Sequence, residues 1–269
     1  VFTPFFPEYT IFIKESGAKV VQVPGEEGTF QIDMEKFEAA VNEKTKAVIV
    51  NSPNNPSGVV YSEETIVKMC DILRKKEKEY GHPIFLITDE PYRELVYDDI
   101  DVPYMINYYD NTFVCYSYSK ALSLPGERIG YIVVSNKMVD SKDAYAAVCG
   151  AGRVLGYVCA PSLFQKVIER CIDDTADISI YKTNRDLLYN SLTEMGFECV
   201  YPDGAFYLFV KAMEDDAKAF CEKAKEQELL LVPADSFGTP GYVRVSYCVQ
   251  TEQIEKALPA FKKLADSYK

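Results

Sequence analysis

The sequence predicts an α/β protein: a mostly parallel sheet with flanking helices, followed by a smaller C-terminal α+β domain. Up to about residue 170, short β-branched or aromatic runs alternate with longer segments of helical periodicity, as in parallel strands joined by helices. Beyond that point a long helical segment precedes a predicted hairpin. We therefore place a domain boundary near 172–178, with a large domain over 1–174 and a small domain over 175–269.

Several segments of the large domain have the composition and length of strands. They are, in chain order, Lys19–Val23, Ala47–Asn51, Pro83–Thr88, Thr112–Ser117 and Ile129–Ser135. A helix-like segment, Asp33–Asn42, lies between the first two. A longer helix is predicted to begin after Ser62, whose hydroxyl suits an N-cap, and to stop at Gly81, because glycine readily adopts the left-handed conformation that ends helices.

The small domain is predicted to mix helices with strands. In chain order, its elements are a long helix over Ile178–Met195, hairpin strands over Phe197–Tyr201 and Ala205–Val210, a helix over Asp215–Gln227, and strands over Leu229–Val232 and Tyr242–Tyr247. The residues Pro202-Asp-Gly204 join the hairpin strands and have turn chemistry. A final amphipathic helix follows Thr251.

Composition excludes several classes of protein. The 41 acidic and 29 basic residues give a net charge of −12, which argues against nucleic acid or an anionic membrane as a partner. No apolar run approaches the ~20 residues of a membrane span, and no signal peptide opens the chain. The eight cysteines form no CxxC pair and there is one histidine. We therefore expect no metal site, no disulfide framework and a reduced, cytoplasmic protein.

Polar residues follow the predicted strands at their carboxyl ends, where open α/β sheets bind their ligands. The segments Asn51–Gly58, Asp89–Tyr92 and Ser117–Lys120 each end a strand, and Gly126–Gly130 opens the next one. The sequence therefore predicts a ligand site at this edge of the sheet.

These four segments, in this order, resemble the fold-type I pyridoxal-phosphate (PLP) aminotransferases of class I/II, the aspartate-aminotransferase type. That family shows an NPxG-type loop, a D-x-x-Y, an S-x-S-K and a downstream G-x-R-x-G, and the resemblance continues in Gly204–Phe209 and Gly241–Ser246. It covers essentially the whole chain. The family's large domain begins well before Val1, so we expect an incomplete large domain that lacks the family's N-terminal third.

The resemblance implies an enzyme that moves an amino group between an amino acid and a 2-oxo acid by a ping-pong mechanism. It also implies pyridoxal 5'-phosphate as the cofactor and a homodimer as the assembly. Lys120 would hold the cofactor as a Schiff base, and Asp89 would keep the pyridine nitrogen protonated so that the ring accepts electrons. The alternatives are a surface lysine at a strand end for Lys120, and a helix N-cap or ion-pair partner for Asp89.

Further cofactor contacts follow from the same resemblance. Asn55 and Tyr92 would hydrogen-bond the phenolic oxygen of PLP, which would make Tyr92 part of the catalytic set with Lys120 and Asp89. Ser117, Ser119 and Arg128 would bind the phosphate, which prefers an arginine fork with hydroxyl donors. The alternatives are a simple turn at Asn55, a buried tyrosine at position 92 and an ordinary strand-edge arginine at position 128.

The resemblance assigns the substrate contacts to the small domain and to one aromatic ring. Arg244, with Asn55, would bind the substrate carboxylate, and Val243 and Val245 on the same strand would point the other way. Phe6 stands where the family has a Trp or Tyr stacked on the pyridine ring; the alternative is a core aromatic. Arg153 is a candidate for a distal substrate carboxylate across a dimer interface. His82 is interpreted as a loop residue rather than a catalyst.

Two rival functions stay open from the sequence. The same constellation supports PLP-dependent cleavage of C–S bonds and related amino-acid chemistry, which differ in the substrate pocket. The other rival is an inactive or regulatory fragment of the PLP fold. No basic DNA-binding segment supports a transcriptional regulator. The amino-acid donor is not identified by the distribution of the 20 tyrosines and 15 phenylalanines.

Overall fold

A computed structural model describes all 269 residues. Its strands are β1 (Phe2–Thr3), β2 (Val23–Pro24), β3 (Ala47–Asn51), β4 (Phe85–Asp89), β5 (Thr112–Ser117), β6 (Gly130–Val134), β7 (Cys199–Val200), β8 (Tyr207–Lys211), β9 (Val232–Pro233) and β10 (Tyr242–Ser246). Its α-helices are α1 (Glu8–Glu15), α2 (Met34–Ala40), α3 (Glu63–Tyr80), α4 (Tyr118–Ala121), α5 (Ser141–Val154), α6 (Ser162–Arg170), α7 (Ile178–Glu194), α8 (Ala217–Lys225) and α9 (Thr251–Asp266).

The large sheet has the order β3-β4-β5-β6. The pairs β3–β4 and β4–β5 are parallel, and β6 runs antiparallel to β5 at the edge. The α/β prediction of a mostly parallel sheet is therefore confirmed. Asn51 pairs with Asp89 in register, and Asp89 pairs with Cys115, so the last residues of β3 and β4 lie beside the carboxyl-terminal half of β5.

The second sheet is antiparallel, in the order β7-β8-β10-β9. It contains the predicted hairpin, in which Val200 pairs with Phe209. Helices α7 and α9 contact each other, and α8 packs against α9 and β10. The prediction of a C-terminal α+β arrangement is confirmed, because helices and antiparallel strands alternate here without parallel crossovers.

The two helices predicted in the large domain begin where their capping residues indicate. Asp33 accepts a hydrogen bond from the backbone N–H of Lys36 at the start of α2. Ser62 accepts one from Thr65 at the start of α3, and Gly81 ends that helix with φ 72°. Both features satisfy backbone groups that a helix end leaves unpaired.

Two predicted strands and several helices differ from the sequence prediction. The strand predicted over Lys19–Val23 is wrong except at its end, because β2 pairs only with the two-residue β1 and offers no longer ladder. The strand predicted over Leu229–Val232 is also wrong except at its end, because β9 covers only Val232–Pro233. Helices α1, α4, α5 and α6 are absent from the sequence prediction. In α5 no residue is buried, so this helix packs into neither of the two apolar cores described below.

Two apolar cores stabilise the molecule. One contains Tyr92 and Tyr97 together with residues of the C-terminal helices and β8. The other joins the N-terminal part of the chain to the second sheet, where the ring of Phe30 lies 5.4 Å from those of Phe209 and Tyr242. Both cores include residues from each side of position 174, and the domain boundary there stays a prediction.

Three further structural features bear on the classes of function considered above. No helix is both long enough and apolar enough to cross a membrane. All eight cysteines are free. No group of three or more His, Cys, Asp or Glu side chains gathers in a way that would hold a metal ion.

Candidate active site

The candidate site lies where β3 and β4 end. The side-chain amide of Asn51 donates to the backbone carbonyl of Asp89 at 2.8 Å, and its carbonyl oxygen accepts from the backbone N–H of Asn55 at 2.7 Å. Asn55 itself is buried. One side chain thus fixes the loop after β3 against the end of β4, which keeps Asn55 and Asp89 at the same edge of the sheet.

Asp89 is hydrogen-bonded by a residue that the sequence prediction missed. The hydroxyl of Tyr9, a buried residue of α1, donates to the Asp89 carboxylate. The ring of Tyr9 also contacts Phe6, with ring centroids 5.7 Å apart. The requirement that a buried Asp must have a partner indicated that such a donor exists, but nothing local in the sequence pointed to a residue 80 positions away.

Burial of the Asp89 carboxyl raises its pKa from the usual 3.8 to about 6. The hydrogen bond from Tyr9 acts in the opposite direction, and the nearby carboxylate of Glu90 raises the pKa further. Glu90 is buried and forms an ion pair with Arg93 at 2.7 Å. Asp89 keeps part of its surface accessible, as a residue that faces a ligand requires.

Lys120 lies in α4, directly after β5. Its amine is 5.9 Å from the ring centre of Tyr92 and 5.4 Å from that of Phe206, and the residue is half-buried. Tyr92 is buried, and its hydroxyl lies 3.2 Å from that of Tyr207. The structure therefore places the Lys120 amine near the rings of Tyr92 and Phe206. The pKa of Tyr92 is raised, mainly because its hydroxyl is buried.

Arg244 reaches the site from β10. Its guanidinium donates to the side-chain oxygen of Asn55 at 2.9 Å and lies over the rings of Tyr207 and Phe237, at 4.4 and 5.1 Å from their centroids. The neighbours Val243 and Val245 are buried, as the alternation of a strand requires. Arg244 is thus a half-buried residue in contact with the predicted site, and its Nε atom is buried without a partner.

The residues predicted to bind phosphate are only partly brought together. Ser117 caps α4, and its hydroxyl donates to that of Ser119 at 2.7 Å. Ser117 pairs with Gly130, so the loop carrying Arg128 enters β6 beside it. The Arg128 guanidinium is nevertheless exposed, donates to the carbonyl of Pro125 at 2.9 Å and makes no hydrogen bond to either serine.

Two weaker candidates lie away from the site. Arg153 is exposed near the end of α5 and makes no ion pair or side-chain hydrogen bond. His82 lies in the loop before β4, where its ring nitrogens contact the backbone carbonyls of Pro83 and Glu43 at 3.0 and 2.8 Å. His82 is therefore a loop residue whose ring is held by backbone carbonyl groups.

Comparison with known proteins gives a consistent family. A sequence model of the family "Aminotransferase class I and II" matches residues 1–261. A probable aspartate aminotransferase of Methanocaldococcus jannaschii is 31% identical over 97% of this chain and 69% of its own length. An aspartate aminotransferase of Thermotoga maritima is 32% identical over 99% of this chain and 69% of its own length.

Solved structures agree with the sequence comparisons. The crystal structure of an aminotransferase from Eubacterium rectale has a TM-score of 0.97 and 61% identity, covering 99% of this chain and 67% of that one. The structure of the Thermotoga maritima aspartate aminotransferase has a TM-score of 0.86 and 30% identity, covering 98% of this chain and 68% of that one.

Proposed function

The chain belongs to the class I and II aminotransferase family, and on that premise we propose that it works through pyridoxal 5'-phosphate bound at the edge where β3, β4 and β5 end. The observation that carries the proposal is the convergence of Asp89, Tyr92, Lys120 and Arg244 on this edge from both sheets. When bound, PLP supplies an electron sink for the carbanion that forms as an amino acid loses its α-proton.

Asp89 fits the pyridine end of such a cofactor. A carboxylate that is enclosed by protein, yet partly accessible, strongly favours a cationic partner such as a protonated ring nitrogen. Its own oxygen is already positioned by the Tyr9 hydroxyl. Phe6, which contacts the Tyr9 ring, would supply an apolar face for the pyridine ring.

Lys120 and Tyr92 are the proposed reactive pair. The Lys120 amine would hold the cofactor aldehyde covalently as a Schiff base, and, once an amino substrate takes its place, would be free to move the proton at the substrate α-carbon. Lys120 is half-buried against two aromatic rings, an environment that limits the number of orientations its amine can take. Tyr92 and Asn55 would contact the phenolic oxygen.

Arg244 is proposed to bind the substrate carboxylate together with Asn55. The contact between these two residues already exists and joins β10 to the loop after β3. A planar guanidinium held between aromatic rings presents its fork in a fixed orientation, which suits bidentate binding of a carboxylate.

Ser117, Ser119 and Arg128 are proposed as phosphate ligands. The two hydroxyls are already oriented towards each other at the start of α4. Arg128 would have to exchange its contact with the Pro125 carbonyl for one with the phosphate, since its guanidinium makes no hydrogen bond to either serine.

A ping-pong exchange follows from these assignments: a first amino acid leaves as a 2-oxo acid, and a second 2-oxo acid leaves as an amino acid. The Thermotoga maritima relative is named an aspartate aminotransferase and the Methanocaldococcus jannaschii relative a probable one, and a further relative from Thermococcus litoralis is named for aromatic amino acids. We propose amino acids of one of these two classes as donors. We also propose a homodimer as the working assembly.

Transamination is the direct test. The purified protein with PLP and 2-oxoglutarate is expected to convert aspartate or an aromatic amino acid, and Lys120→Ala is expected to lower the rate by about 10³-fold or more. Lys142→Ala, which removes an exposed lysine of α5, is the matched control and should leave the rate unchanged. Formation of pyruvate and ammonia from cystathionine without a 2-oxo acid would instead support C–S bond cleavage.

A further inference from the structure

Tyr207 contacts both Tyr92 and Arg244. It lies on β8 and is buried, with 8% of its surface exposed. Arg244 pairs with Phe209 across the sheet, and Tyr207 lies two residues along β8 from Phe209, so all three side chains share one face. This face is the one that Arg244 uses to reach the loop after β3.

The hydroxyl of Tyr207 is the side-chain hydrogen-bond partner of the Tyr92 hydroxyl. The two hydroxyls are 3.2 Å apart, and neither has another side-chain partner. Each hydroxyl has a single hydrogen, so when Tyr207 donates to the Tyr92 oxygen, the Tyr92 hydrogen stays available for a ligand. Burial raises the pKa of Tyr207, while the hydrogen bond with Tyr92 and the neighbouring Arg244 cation oppose that rise, and the hydroxyl keeps its proton at neutral pH.

The ring of Tyr207 contacts a second neighbour, Arg244. The Arg244 guanidinium lies 4.4 Å from its centroid, nearer than the 5.1 Å that separates it from Phe237. Since the Arg244 Nε atom is buried without a hydrogen-bond partner, the guanidinium depends on Asn55 and on these ring faces for its orientation.

We propose that Tyr207 is a positioning residue for both the cofactor and the substrate. Its hydroxyl orients Tyr92 towards the cofactor, and its ring orients Arg244 towards the substrate carboxylate. This inference rests on the proposed function. It assigns separate tasks to two parts of one side chain, and the two parts can be removed one at a time.

Tyr207→Phe removes only the hydroxyl. It is expected to raise the dissociation constant of PLP, measured by absorbance titration of the cofactor-free protein, by about 3- to 10-fold, the effect of one hydrogen bond. The KM of the amino donor is expected to stay within about twofold, because the ring that faces Arg244 remains. Tyr145→Phe, at an exposed position of α5, is the matched control and should change neither quantity.

Tyr207→Leu keeps apolar bulk and removes the ring. It is expected to show the same loss of PLP affinity and, in addition, a rise of about 3- to 10-fold in KM, since the cation loses its aromatic face. A KM that rises as much in Tyr207→Phe as in Tyr207→Leu would overturn the division of tasks between ring and hydroxyl.

A double-mutant cycle tests whether the hydroxyl acts through Tyr92. In a Tyr92→Phe background, Tyr207→Phe is expected to change the PLP dissociation constant by less than about twofold, because the hydroxyl it would orient is gone. Fully additive effects of the two substitutions, in variants with wild-type circular dichroism, would overturn the inference. Wild-type protein that binds no PLP would refute the proposed function itself, an outcome distinct from additivity.

Discussion

The candidate site has an inner side, formed by Tyr9, Asn55, Asp89 and Arg244, and an outer side, formed by Ser117, Ser119 and Arg128. Different kinds of contact hold the two sides. On the inner side, contacts join residues far apart in the chain: Tyr9 and Asp89 are 80 positions apart, and Asn55 and Arg244 are 189 apart. On the outer side, the side-chain hydrogen bonds of Ser117, Ser119 and Arg128 are with residues two or three positions away. The inner side therefore depends on the whole fold, whereas the outer side depends on local backbone and on the ligand for its final arrangement.

This difference has an energetic consequence. Groups of the inner side are buried or half-buried, and the ionisation of Asp89 is coupled to folding, as its raised pKa indicates. The outer serines are half-buried and Arg128 is exposed, so water competes for their hydrogen bonds. Substitutions on the inner side should have large effects that depend on pH, and those on the outer side should have small ones.

The largest effect is expected for Asp89→Asn, and it is a gain in stability of the cofactor-free protein. Above pH 6 the folded protein must hold an ionised carboxylate whose pKa is about 6 instead of 3.8, a cost of up to about 3 kcal/mol at pH 8. The neutral amide avoids this cost. Urea unfolding should therefore give a higher free energy for the variant.

The sign of the pH dependence makes that prediction specific. A carboxyl whose pKa is raised in the folded state binds more protons when folded, so its cost grows as pH rises through the interval from about 4 to 6. The gain of Asp89→Asn should be larger at pH 8 than at pH 5. Asp173→Asn, at an exposed position, is the control and should show no gain in stability. An equal gain at both pH values for Asp89→Asn would contradict the claim that burial raises the pKa of this carboxyl in the folded protein.

Arg244→Leu is expected to have the next largest effect. Loss of a charge-assisted, two-pronged contact with the substrate carboxylate should raise the KM of the amino donor by about 10- to 100-fold. The affinity for PLP should change by less than about threefold. Arg170→Leu, which removes an exposed arginine of α6, is the control, and steady-state kinetics with PLP titration would measure both quantities. An unchanged KM would contradict the proposed role of Arg244 in binding the substrate carboxylate.

Tyr9→Phe tests the inner side through pH rather than through affinity alone. The hydrogen bond from Tyr9 lowers the pKa of Asp89, so its loss should raise that pKa above about 6. If Asp89 binds the cofactor as proposed, PLP affinity requires the ionised carboxylate and should fall as pH drops through this pKa. In the variant that fall should begin about one pH unit higher. Titrations of PLP between pH 5 and 8 would measure the shift, and coincident profiles would show that Tyr9 does not tune Asp89.

The smallest effect is expected on the outer side, for Ser119→Ala. The variant loses the hydroxyl that Ser117 contacts, but phosphate retains water and its other proposed ligands, so the PLP dissociation constant should rise only about 2- to 5-fold. Ser162→Ala, at an exposed position, is the control. A loss of 100-fold or more would mean that the outer side is as tightly organised as the inner one.

Local signals explain what could be predicted from the sequence. The bounds of β3 and β5 match the predicted strands, and Ser62 and Gly81 bound α3 as expected, because apolar runs and caps are properties of neighbouring residues. Since ligand residues follow strand ends, the positions of Asn55 and Asp89 at one edge also followed from local pattern.

Contacts between distant residues could not be predicted in the same way. Nothing near Tyr9 indicates that it donates to Asp89, and nothing near Tyr207 indicates that it contacts both Tyr92 and Arg244. The orientation of the Arg128 side chain is a further example, since its backbone position beside Ser117 does not determine where the guanidinium points.

The central claim is that Lys120 holds the cofactor, and the most direct test is borohydride reduction of the protein mixed with PLP, followed by peptide mapping. We expect a visible absorbance band that reduction bleaches, with the label fixed on Lys120 and absent from Lys120→Ala. A label on another lysine, or a folded protein that shows no band, would contradict it.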